Sequence, residues 1–396
     1  MLITLIAGAR PNFMKIAPLI KAIQKAAAEG HDIRHRLVHT GQHYDKNMSD
    51  TFFEELGIPM PDVNLGCGGG TQAEQTANIM VAFEKDLLAN PTDLVLVVGD
   101  VTSTMACSIV AKKLNTKVCH VEAGIRSWDQ TMPEEINRMV TDALADYMFT
   151  TSEIANKNLL LQGACLEAKG ERREARGEEL PALPEEQYAF KRTPQRVWYV
   201  GNVMIDTLLA NRSRFRRPAV YDTLGLQEKQ YVVMTMHRPA NVDEQEHLKA
   251  LMEQIINNVH GLPIIFPIHP RTAKLFYQLW GDEEQLSELF PNLHIVAPMG
   301  YLEFNYLVER AKAVVTDSGG ITEETTVMGV PCITLRDNTE RPETCTIGTN
   351  MLIGTRPEAI KPALDCLFAG EWKQGAIPAL WDGHTSERIV EILLSL

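Results

Sequence analysis

Short apolar runs alternate with helical patterns along the whole chain, and this alternation restricts the fold more than any other feature. Neighbouring parallel strands must be joined by a crossover, which is usually a helix, so the pattern is typical of βαβ units. Because 396 residues exceed what one ordinary core supports, we expect two domains of α/β class. The predicted strands are Leu2–Ala7, Arg36–His39, Leu94–Val98, Lys117–Glu122, Tyr147–Thr150, Val197–Val200, Tyr231–Met236, Ile264–Ile268, Leu293–Val296, Ala313–Thr316 and Cys332–Leu335.

Most of these strands end in Gly, Asp, His or Ser, at the carboxyl edge where open α/β sheets bind ligands. We therefore predict two Rossmann-like domains whose parallel sheets face a central cleft that holds the active site. The N-terminal domain is placed at residues 1–200 and the C-terminal domain at 201–385, with a last helix, about 386–396, packing back on the first. Residues 167–195 are rich in Glu, Arg, Pro and Gly, which indicates a solvated insertion.

Composition excludes several classes of protein. The chain is 45% hydrophobic and 22% charged, as soluble globular proteins are, and its net charge of −13 argues against nucleic-acid or membrane-surface partners. The apolar start of the chain has no preceding basic region and reads as a buried strand, not as a signal peptide. Seven scattered cysteines without a Cys-x-x-Cys pair indicate a reducing compartment, so we predict a cytoplasmic protein.

The run Asp317–Glu324 follows an apolar strand and opens a helix. Glycines at such a turn let a phosphate approach the backbone, where the helix N-terminus offers free N–H groups and a positive dipole end. A carboxylate one turn into the helix could grip ribose hydroxyls. The run predicts a nucleotide diphosphate site, although ordinary helix capping uses the same residue types.

In the first half, Arg10 and Lys15 bracket the start of a helix, where two cations would suit a phosphate. The simpler interpretation is that Lys15 is an exposed helical lysine.

Asp100, Glu122 and Glu134 each follow a strand or open a helix. Any one of them could be a plain N-cap. Three carboxylates at one sheet edge would instead push their pKa values apart, which is how one site obtains an acid and a base.

In the second half, a His followed closely by an Arg leaves two successive strands, as His237-Arg238 and as His269 with Arg271. A single histidine is more often structural, but this repeated pairing favours recognition of phosphate or uracil oxygens.

The sequence does not predict a metal site. Histidines recur every four residues across His31–His43, which is the spacing of helical metal ligands, but Leu37-Val38 reads as a strand and separates them. The chain also contains neither a Gly-x-x-x-x-Gly-Lys-Ser/Thr phosphate loop nor the dehydrogenase Gly-x-Gly-x-x-Gly.

Together these motifs resemble the non-hydrolysing UDP-N-acetylglucosamine 2-epimerases, nearly end to end and in order, and the match fails clearly only across the insertion. The resemblance implies the glycosyltransferase-B type of fold, a cytoplasmic isomerase that is commonly a homodimer, and no nicotinamide or metal cofactor. The family reaction interconverts UDP-N-acetylglucosamine and UDP-N-acetylmannosamine, supplying sugars for surface polysaccharides. It passes through elimination of UDP, a 2-acetamidoglucal and re-addition. The matching segments are Gly8–Lys15, Gly99-Asp100, Val121–Arg126, Pro133–Arg138, His237-Arg238 and Asp317–Glu324.

The resemblance also implies roles for individual residues. Asp100, Glu122 and Glu134 match the catalytic carboxylates that move the C2 proton and steady charge on the sugar; which of them serves each face stays open. His237, which we group with them, matches a position that holds or neutralises the diphosphate. The remaining implied substrate-binding residues are Arg10, Lys15 and Arg138, then His269 and Arg271, the turn Ser318, Gly319 and Gly320, Glu324 for the ribose, and Arg341.

Other functions on the same motifs stay open. Related epimerases take UDP-sugars with a second acetamido group or a uronic acid, and a hydrolysing epimerase or a UDP-sugar glycosyltransferase would share the fold. A protein that only binds nucleotide sugars would not need three carboxylates around an anion. Residues 39–45 differ from members whose regulatory UDP-sugar site uses glutamines there, and this difference weakens the case for activation by substrate.

Overall fold

The computed structural model describes residues 1–41, 55–162, 195–268 and 270–396. Its internal contacts divide the chain into unit 1, Met1–Val203 with His384–Leu396, and unit 2, Met204–Gly383. Residues 167–194 of the predicted insertion lie outside the described residues. So do residues 42–45, which belong to the segment that differs from family members with a regulatory site.

Unit 1 is a seven-stranded, wholly parallel sheet in the order β3-β2-β1-β4-β5-β6-β7. Its strands are β1 (Leu2–Ala7), β2 (Arg34–His39), β3 (Val63–Asn64), β4 (Leu94–Val98), β5 (Lys117–Ala123), β6 (Tyr147–Thr150) and β7 (Arg196–Tyr199). Its helices are α1 (Arg10–Ala28), α2 (Gln72–Ala89), α3 (Thr102–Lys113), α4 (Pro133–Leu144), α5 (Glu153–Leu161) and, from the end of the chain, α16 (Thr385–Leu394).

Unit 2 is a six-stranded parallel sheet in the order β10-β9-β8-β11-β12-β13. Its strands are β8 (Val232–Thr235), β9 (Ile264–Pro267), β10 (Leu293–Val296), β11 (Ala313–Thr316), β12 (Cys332–Thr334) and β13 (Asn350–Leu352). Its α-helices are α6 (Val203–Asn211, shared at the boundary), α7 (Ala219–Thr223), α8 (Pro239–Val242), α9 (Gln245–Asn258), α10 (Pro270–Trp280), α11 (Glu283–Leu289), α12 (Tyr301–Arg310), α13 (Gly319–Met328), α14 (Pro342–Thr346) and α15 (Ile360–Phe368). Short 3₁₀ turns cover Arg212–Arg214 and Pro357–Ala359.

The predicted α/β class of two parallel sheets is confirmed, and the reason is visible in the strands. Every residue of β4, Leu-Val-Leu-Val-Val, is buried. Helices cover both faces of a parallel sheet, so its strands are apolar on both sides and do not alternate between apolar and polar residues. The two strands that the analysis missed are β3 and β13. Both lie at a sheet edge and are only 2 and 3 residues long, too short to show a pattern.

Both sheets reverse their strand order at one place, between β1 and β4 in unit 1 and between β8 and β11 in unit 2. At such a switch point the two connections leave in opposite directions and open a crevice at the carboxyl ends of the strands, where α/β proteins bind their ligands. The loops that follow β1, β4, β8 and β11 are therefore the places to look for a site.

The last helix, α16, belongs to unit 1 although 180 residues of unit 2 precede it. The Nζ of Lys25 on α1 lies 3.0 Å from Oε1 of Glu387, and Arg388 donates a 2.7 Å hydrogen bond to the carbonyl of Val200. Among the described helices of both units, none has the length and apolar character that crossing a bilayer requires.

Candidate active site

At the switch point of unit 1, Asn12 ties the ends of β1 and β4 together. Its Oδ1 accepts hydrogen bonds from the backbone N–H groups of Gly8 (3.1 Å) and Ala9 (3.0 Å), and its Nδ2 donates to the carbonyl of Val98 at 3.0 Å. The side chain is buried and caps α1 from inside the first turn. Sequence reasoning passed over Asn12, because its carbonyl partner lies 86 residues further along the chain.

Lys15 and Glu122 form an ion pair at the same edge. The Lys15 Nζ lies 2.6 Å from Oε2 of Glu122, and the two side chains are only 12% and 2% exposed. Gly99 packs against this pair: a Cβ added there would lie 3.0 Å from the Lys15 Nζ and 3.6 Å from the carboxylate. The structure thus joins the first loop to both strand ends that the sequence singled out.

The backbone at Glu122 adopts an unusual conformation. Its φ of +71° lies in the left-handed region, and the ladder between β5 and β6 shifts register between Val121 and Ala123. An L-residue in this region stores strain, which persists where the surrounding structure requires it and is common at functional sites. At this bulge the carboxylate of Glu122 faces Lys15.

Asp100, which follows Gly99, is held by Arg138 of α4. The guanidinium donates to Oδ2 of Asp100 from Nε (3.0 Å) and Nη2 (2.6 Å), while Asn137 donates to the Asp100 carbonyl at 2.8 Å. The Asp100 side chain remains 31% exposed. The predicted substrate-binding residue Arg138 is therefore an ion-pair partner of a predicted catalytic carboxylate.

The two glutamates at the start of α4 lie in different environments. Glu134 is exposed, whereas Glu135 is fully buried and accepts hydrogen bonds from the backbone N–H groups of Ser127 (3.0 Å) and Trp128 (3.1 Å). Glu135 also pairs with Nη1 of Arg138 at 2.5 Å. Sequence reasoning named Glu134 and overlooked Glu135, although the i,i+3 spacing to Arg138 was a usable signal.

Behind the edge lies a fully buried network that the sequence analysis also missed. His120 of β5 contacts Oδ1 of Asp142 with Nδ1 (2.6 Å) and the carbonyl of Gly99 with Nε2 (2.8 Å). The other oxygen of Asp142 accepts from the N–H of Gly124 (3.0 Å) and from Nη2 of Arg126 (2.6 Å). Burial opposes ionisation of Asp142, but its interactions with His120 and Arg126 outweigh burial and lower the pKa of Asp142 below its ordinary value.

At the switch point of unit 2, Asp317 organises the loop that follows β8. Its Oδ2 accepts hydrogen bonds from the N–H groups of His237 (2.9 Å) and Arg238 (2.8 Å) and from Nδ2 of Asn241 (3.1 Å). Its Oδ1 lies 2.8 Å from Nδ1 of His237, whose side chain is 57% exposed. Burial favours the neutral acid, but His237 and these N–H donors outweigh it and lower the pKa of Asp317.

The turn Ser318–Gly320 leads from β11 into α13, as predicted. The N–H of Ser318 donates to Oγ1 of Thr316 at 3.0 Å. A Cβ at Gly319 would lie 2.6 Å from Oε1 of Glu340, whereas a Cβ at Gly320 would meet no atom within 4 Å. Gly319 is thus needed for packing, and the backbone at Gly320 is open to an approaching group.

Glu324 lies one turn into α13 and is buried. Tyr301 donates its hydroxyl to Oε1 of Glu324 at 2.8 Å. Burial raises the pKa of this carboxyl to about 7, against the opposing hydrogen bonds from Tyr301 and Asn305. Next to it, Glu323 forms a buried ion pair with Arg341, a predicted substrate-binding residue.

Three predicted residues cannot be placed in this way. His269 lies outside the described residues, and so do the side chains of Arg10 and Arg271. Within the described ranges, no three His, Cys, Asp or Glu side chains gather as metal ligands.

The fold and these two switch points define a two-unit α/β protein of the glycosyltransferase-B class. Carboxylates lie at the switch point of unit 1, and a glycine turn suited to phosphate lies at the switch point of unit 2. The family model for UDP-N-acetylglucosamine 2-epimerase matches residues 25–394. The chain belongs to the UDP-N-acetylglucosamine 2-epimerase family, a family of isomerases.

Relatives and solved structures agree with this assignment over the full length. The UDP-N-acetylglucosamine 2-epimerase of Methanocaldococcus jannaschii is 38% identical over 401 residues, covering 99% of each chain. Its crystal structure with UDP-GlcNAc and UDP superposes with a TM-score of 0.79 over all of both chains, at 37% identity. The Neisseria meningitidis enzyme bound to UDP-GlcNAc has a TM-score of 0.81 at 27% identity, again over all of both chains. The UDP-2,3-diacetamido-2,3-dideoxy-D-glucuronate 2-epimerase of Pseudomonas aeruginosa is 34% identical over 398 residues, covering 100% of each chain.

Proposed function

We propose that this protein interconverts UDP-N-acetylglucosamine and UDP-N-acetylmannosamine by inversion at C2, without net hydrolysis. The observation that carries the proposal is the buried pair of Lys15 and Glu122, packed on Gly99 beside Asp100. It places carboxylates and a cation together where a switch point favours ligand binding. A relative that shares 37% of the sequence was crystallised with UDP-GlcNAc and UDP.

The proposed reaction is an anti elimination followed by re-addition of UDP with inversion at C2. A carboxylate takes the C2 proton, the C–H electron pair forms the C1–C2 double bond, and the C1–O pair leaves with UDP. The products are UDP and 2-acetamidoglucal. Re-addition of UDP to C1, with a proton delivered to the opposite face of C2, yields the epimer. Asp100, Glu122 and Glu134 are the candidate acids and bases, since general acid–base work needs carboxylates within reach of both faces.

Unit 2 is proposed to hold UDP after the bond to the sugar breaks. The turn at Ser318, Gly319 and Gly320 would take the diphosphate on backbone N–H groups at the start of α13. His237, oriented by Asp317, would offset part of its charge. The cations Arg10 and Lys15 of unit 1 stay proposed substrate contacts. Glu324 is proposed to bind the ribose. The other residues that we propose to contact the substrate are Arg138, His269, Arg271 and Arg341. That the enzyme is cytoplasmic and homodimeric stays a prediction.

The test is proton NMR of UDP-N-acetylglucosamine incubated with the protein in D2O. We expect the manno epimer to appear with deuterium at C2, because the abstracted proton exchanges with solvent before re-addition. Retention of the C2 proton, or accumulation of UDP and free sugar as the main products, would overturn the proposal.

Two variants then test whether individual carboxylates take part in the reaction. Asp100→Asn and Glu134→Gln are expected to lose turnover while UDP still binds. Glu153→Gln is a matched control for Glu134, since both are exposed acidic residues in the first turn of a unit 1 helix. Near-normal turnover in either site variant would remove that residue from the mechanism.

A second candidate substrate is a UDP-2,3-diacetamido uronate, because the Pseudomonas aeruginosa epimerase named for that sugar is 34% identical over its whole length. The same D2O assay with both UDP-sugars decides between them by the ratio of kcat/KM. We expect the ratio to favour UDP-N-acetylglucosamine, and a preference for the uronate would reverse the assignment.

A further inference from the structure

His120 lies fully buried in β5 between two hydrogen-bond acceptors, and the bonds determine where its protons are. Its Nε2 lies 2.8 Å from the carbonyl oxygen of Gly99. A backbone carbonyl can only accept, so Nε2 must carry a proton. Without that proton, two lone pairs would face each other in a site that water does not reach.

The other ring nitrogen faces a carboxylate that is already held in its ionised form. Nδ1 lies 2.6 Å from Oδ1 of Asp142, while Oδ2 accepts from Gly124 and from Arg126. A protonated Asp142 could in principle donate to a neutral ring, but the guanidinium of Arg126 and the N–H of Gly124 both stabilise the negative charge. Nδ1 therefore donates as well.

We propose that His120 is a doubly protonated imidazolium that positions the Gly99-Asp100 segment for catalysis. The network of His120, Arg126 and Asp142 then carries one net positive charge behind the edge where Lys15 and Glu122 pair. No substrate contact is assigned to His120: it acts through the backbone of Gly99, on which the Lys15 Nζ and the Glu122 carboxylate pack. Its positioning role rests on the proposed function, whereas its protonation state does not.

The charged groups around this ring can be named. Asp142 approaches from α4, Arg126 from the loop after β5, and Lys15 from α1 across Gly99, with Glu122 two residues along β5. With Asp142 ionised, a neutral ring would lose one of the two bonds and release either Gly99 or Asp142. Since the side chain of Asp100 and the peptide of Gly99 are adjacent, a small shift of Gly99 moves a candidate catalytic carboxylate directly.

The first test reads the proton positions without using activity. Wild-type protein with ¹⁵N-labelled histidine is studied at pH 7.5 by long-range ¹H–¹⁵N correlation, and the His120 signals are identified by their absence in His120→Gln. We expect both ring nitrogens of His120 to show protonated shifts at this pH. A ring with one unprotonated nitrogen at pH 7.5 would overturn the inference.

The second test asks whether the cation positions the site. Glutamine can donate to the Gly99 carbonyl but cannot also carry the positive charge, so His120→Gln is expected to lower kcat about 100-fold, the scale of a 1 Å misplacement. KM for the UDP-sugar and Kd for UDP should stay within about twofold. The exposed His31→Gln serves as a control for the substitution itself.

The outcomes distinguish the positioning role of His120 from its protonation state. If folded His120→Gln turns over at the wild-type rate, His120 does not position the site, whatever its charge. If His120→Gln does not fold, Asp142→Asn tests the same bond and is expected to show the same split between kcat and KM; a normal kcat there overturns the positioning role. If the wild-type protein has no epimerase activity, the proposed function fails, and the NMR result still decides the protonation state.

Discussion

The two switch points contain carboxylates that are neutralised in different ways. In unit 1, Glu122 faces the ammonium of Lys15 and Asp100 faces the guanidinium of Arg138, so both carboxylates are held by full cations. In unit 2, Asp317 is surrounded by N–H donors and His237, and burial raises the pKa of Glu324 to about 7.

This difference suits two kinds of chemistry. A carboxylate that stays ionised beside a cation can accept a proton and steady positive charge on a sugar ring. A carboxyl whose charge is suppressed, or covered by N–H donors, does not repel a diphosphate that binds nearby. Unit 1 thus has the properties of a reacting site and unit 2 those of a holding site.

Glu122→Gln removes the charge that pairs with Lys15 while keeping the shape of the side chain. If unit 1 is the reacting site, deuterium incorporation at C2 should fall at least about 1,000-fold, the scale for loss of a general acid or base. Kd for UDP, measured by calorimetry, should not rise, because Lys15 keeps its charge and the residues of unit 2 are untouched. More than a tenth of wild-type turnover would show that Glu122 is not part of the reacting set.

Glu324→Gln tests whether unit 2 suppresses charge. The folded-state pKa of Glu324 is raised from 4.5 to about 7, so its contribution to stability is fully present below pH 4.5 and is lost as the pH rises through 7. The variant has no such loss. Its free energy of unfolding should exceed that of the wild type by about 3 kcal/mol at pH 8.5, and by much less at pH 5.

Urea unfolding at the two pH values measures this difference. Glu284→Gln, an exposed glutamate in the first turn of α11, is the matched control and should show no pH-dependent gain. An equal effect of Glu324→Gln at both pH values would mean that Glu324 is ionised throughout, and the contrast between the two units would disappear.

Gly99→Ala tests how tightly the reacting site is packed. The added Cβ would lie 3.0 Å from the Lys15 Nζ, and φ at Gly99 is +65°. The left-handed backbone alone costs an L-residue about 1–2 kcal/mol. Gly66→Ala has nearly the same φ, +66°, but no atom within 4 Å of the new Cβ. Both variants should lose similar stability in thermal unfolding, and only Gly99→Ala should also lose kcat; equal kcat values would separate Gly99 from catalysis.

Gly320→Ala tests the holding site with the least disturbance. The new Cβ meets no atom within 4 Å, so the fold should be unaffected or slightly stabilised by the better helix former. If a phosphate lies against this backbone, Kd for UDP should rise about tenfold, which corresponds to about 1.4 kcal/mol. Gly319→Ala is the contrasting variant, because its Cβ would meet Glu340 at 2.6 Å and should lower stability. An unchanged Kd in Gly320→Ala would place the diphosphate elsewhere.

Much of the fold could be predicted from the sequence, and the reason is local. Leu94–Val98 and Ala313–Thr316 are buried throughout and almost wholly apolar, because strands of a covered parallel sheet have no solvent side. Both were predicted with the bounds that the structure shows. The glycine turn at Gly319 was visible in the same way, since a strand followed by Gly-Gly and a helix is a local pattern. The two-residue strand β3 leaves no such signal.

The candidate site was predictable only as a set of residue types. The sequence placed Asp100, Glu122 and Lys15 near strand ends, but the pairing of Lys15 with Glu122 spans 107 residues and depends on β1, β4 and β5 lying side by side. The same holds for Asp317 and His237, which are 80 residues apart. His120 and Asp142 were missed because they are buried and lie 22 residues apart, whereas Glu135 was missed despite its local spacing to Arg138.

By itself, the sequence determined the class of fold, the order of its strands and helices, and the family to which the chain belongs. These follow from apolar runs, turn glycines and motifs that act over a few residues. Only the tertiary structure decided which carboxylates are paired, which of Glu134 and Glu135 is buried, and that burial keeps Glu324 close to neutrality. Those properties depend on the local dielectric and on charges brought together by the crossovers, and neither can be read along the chain.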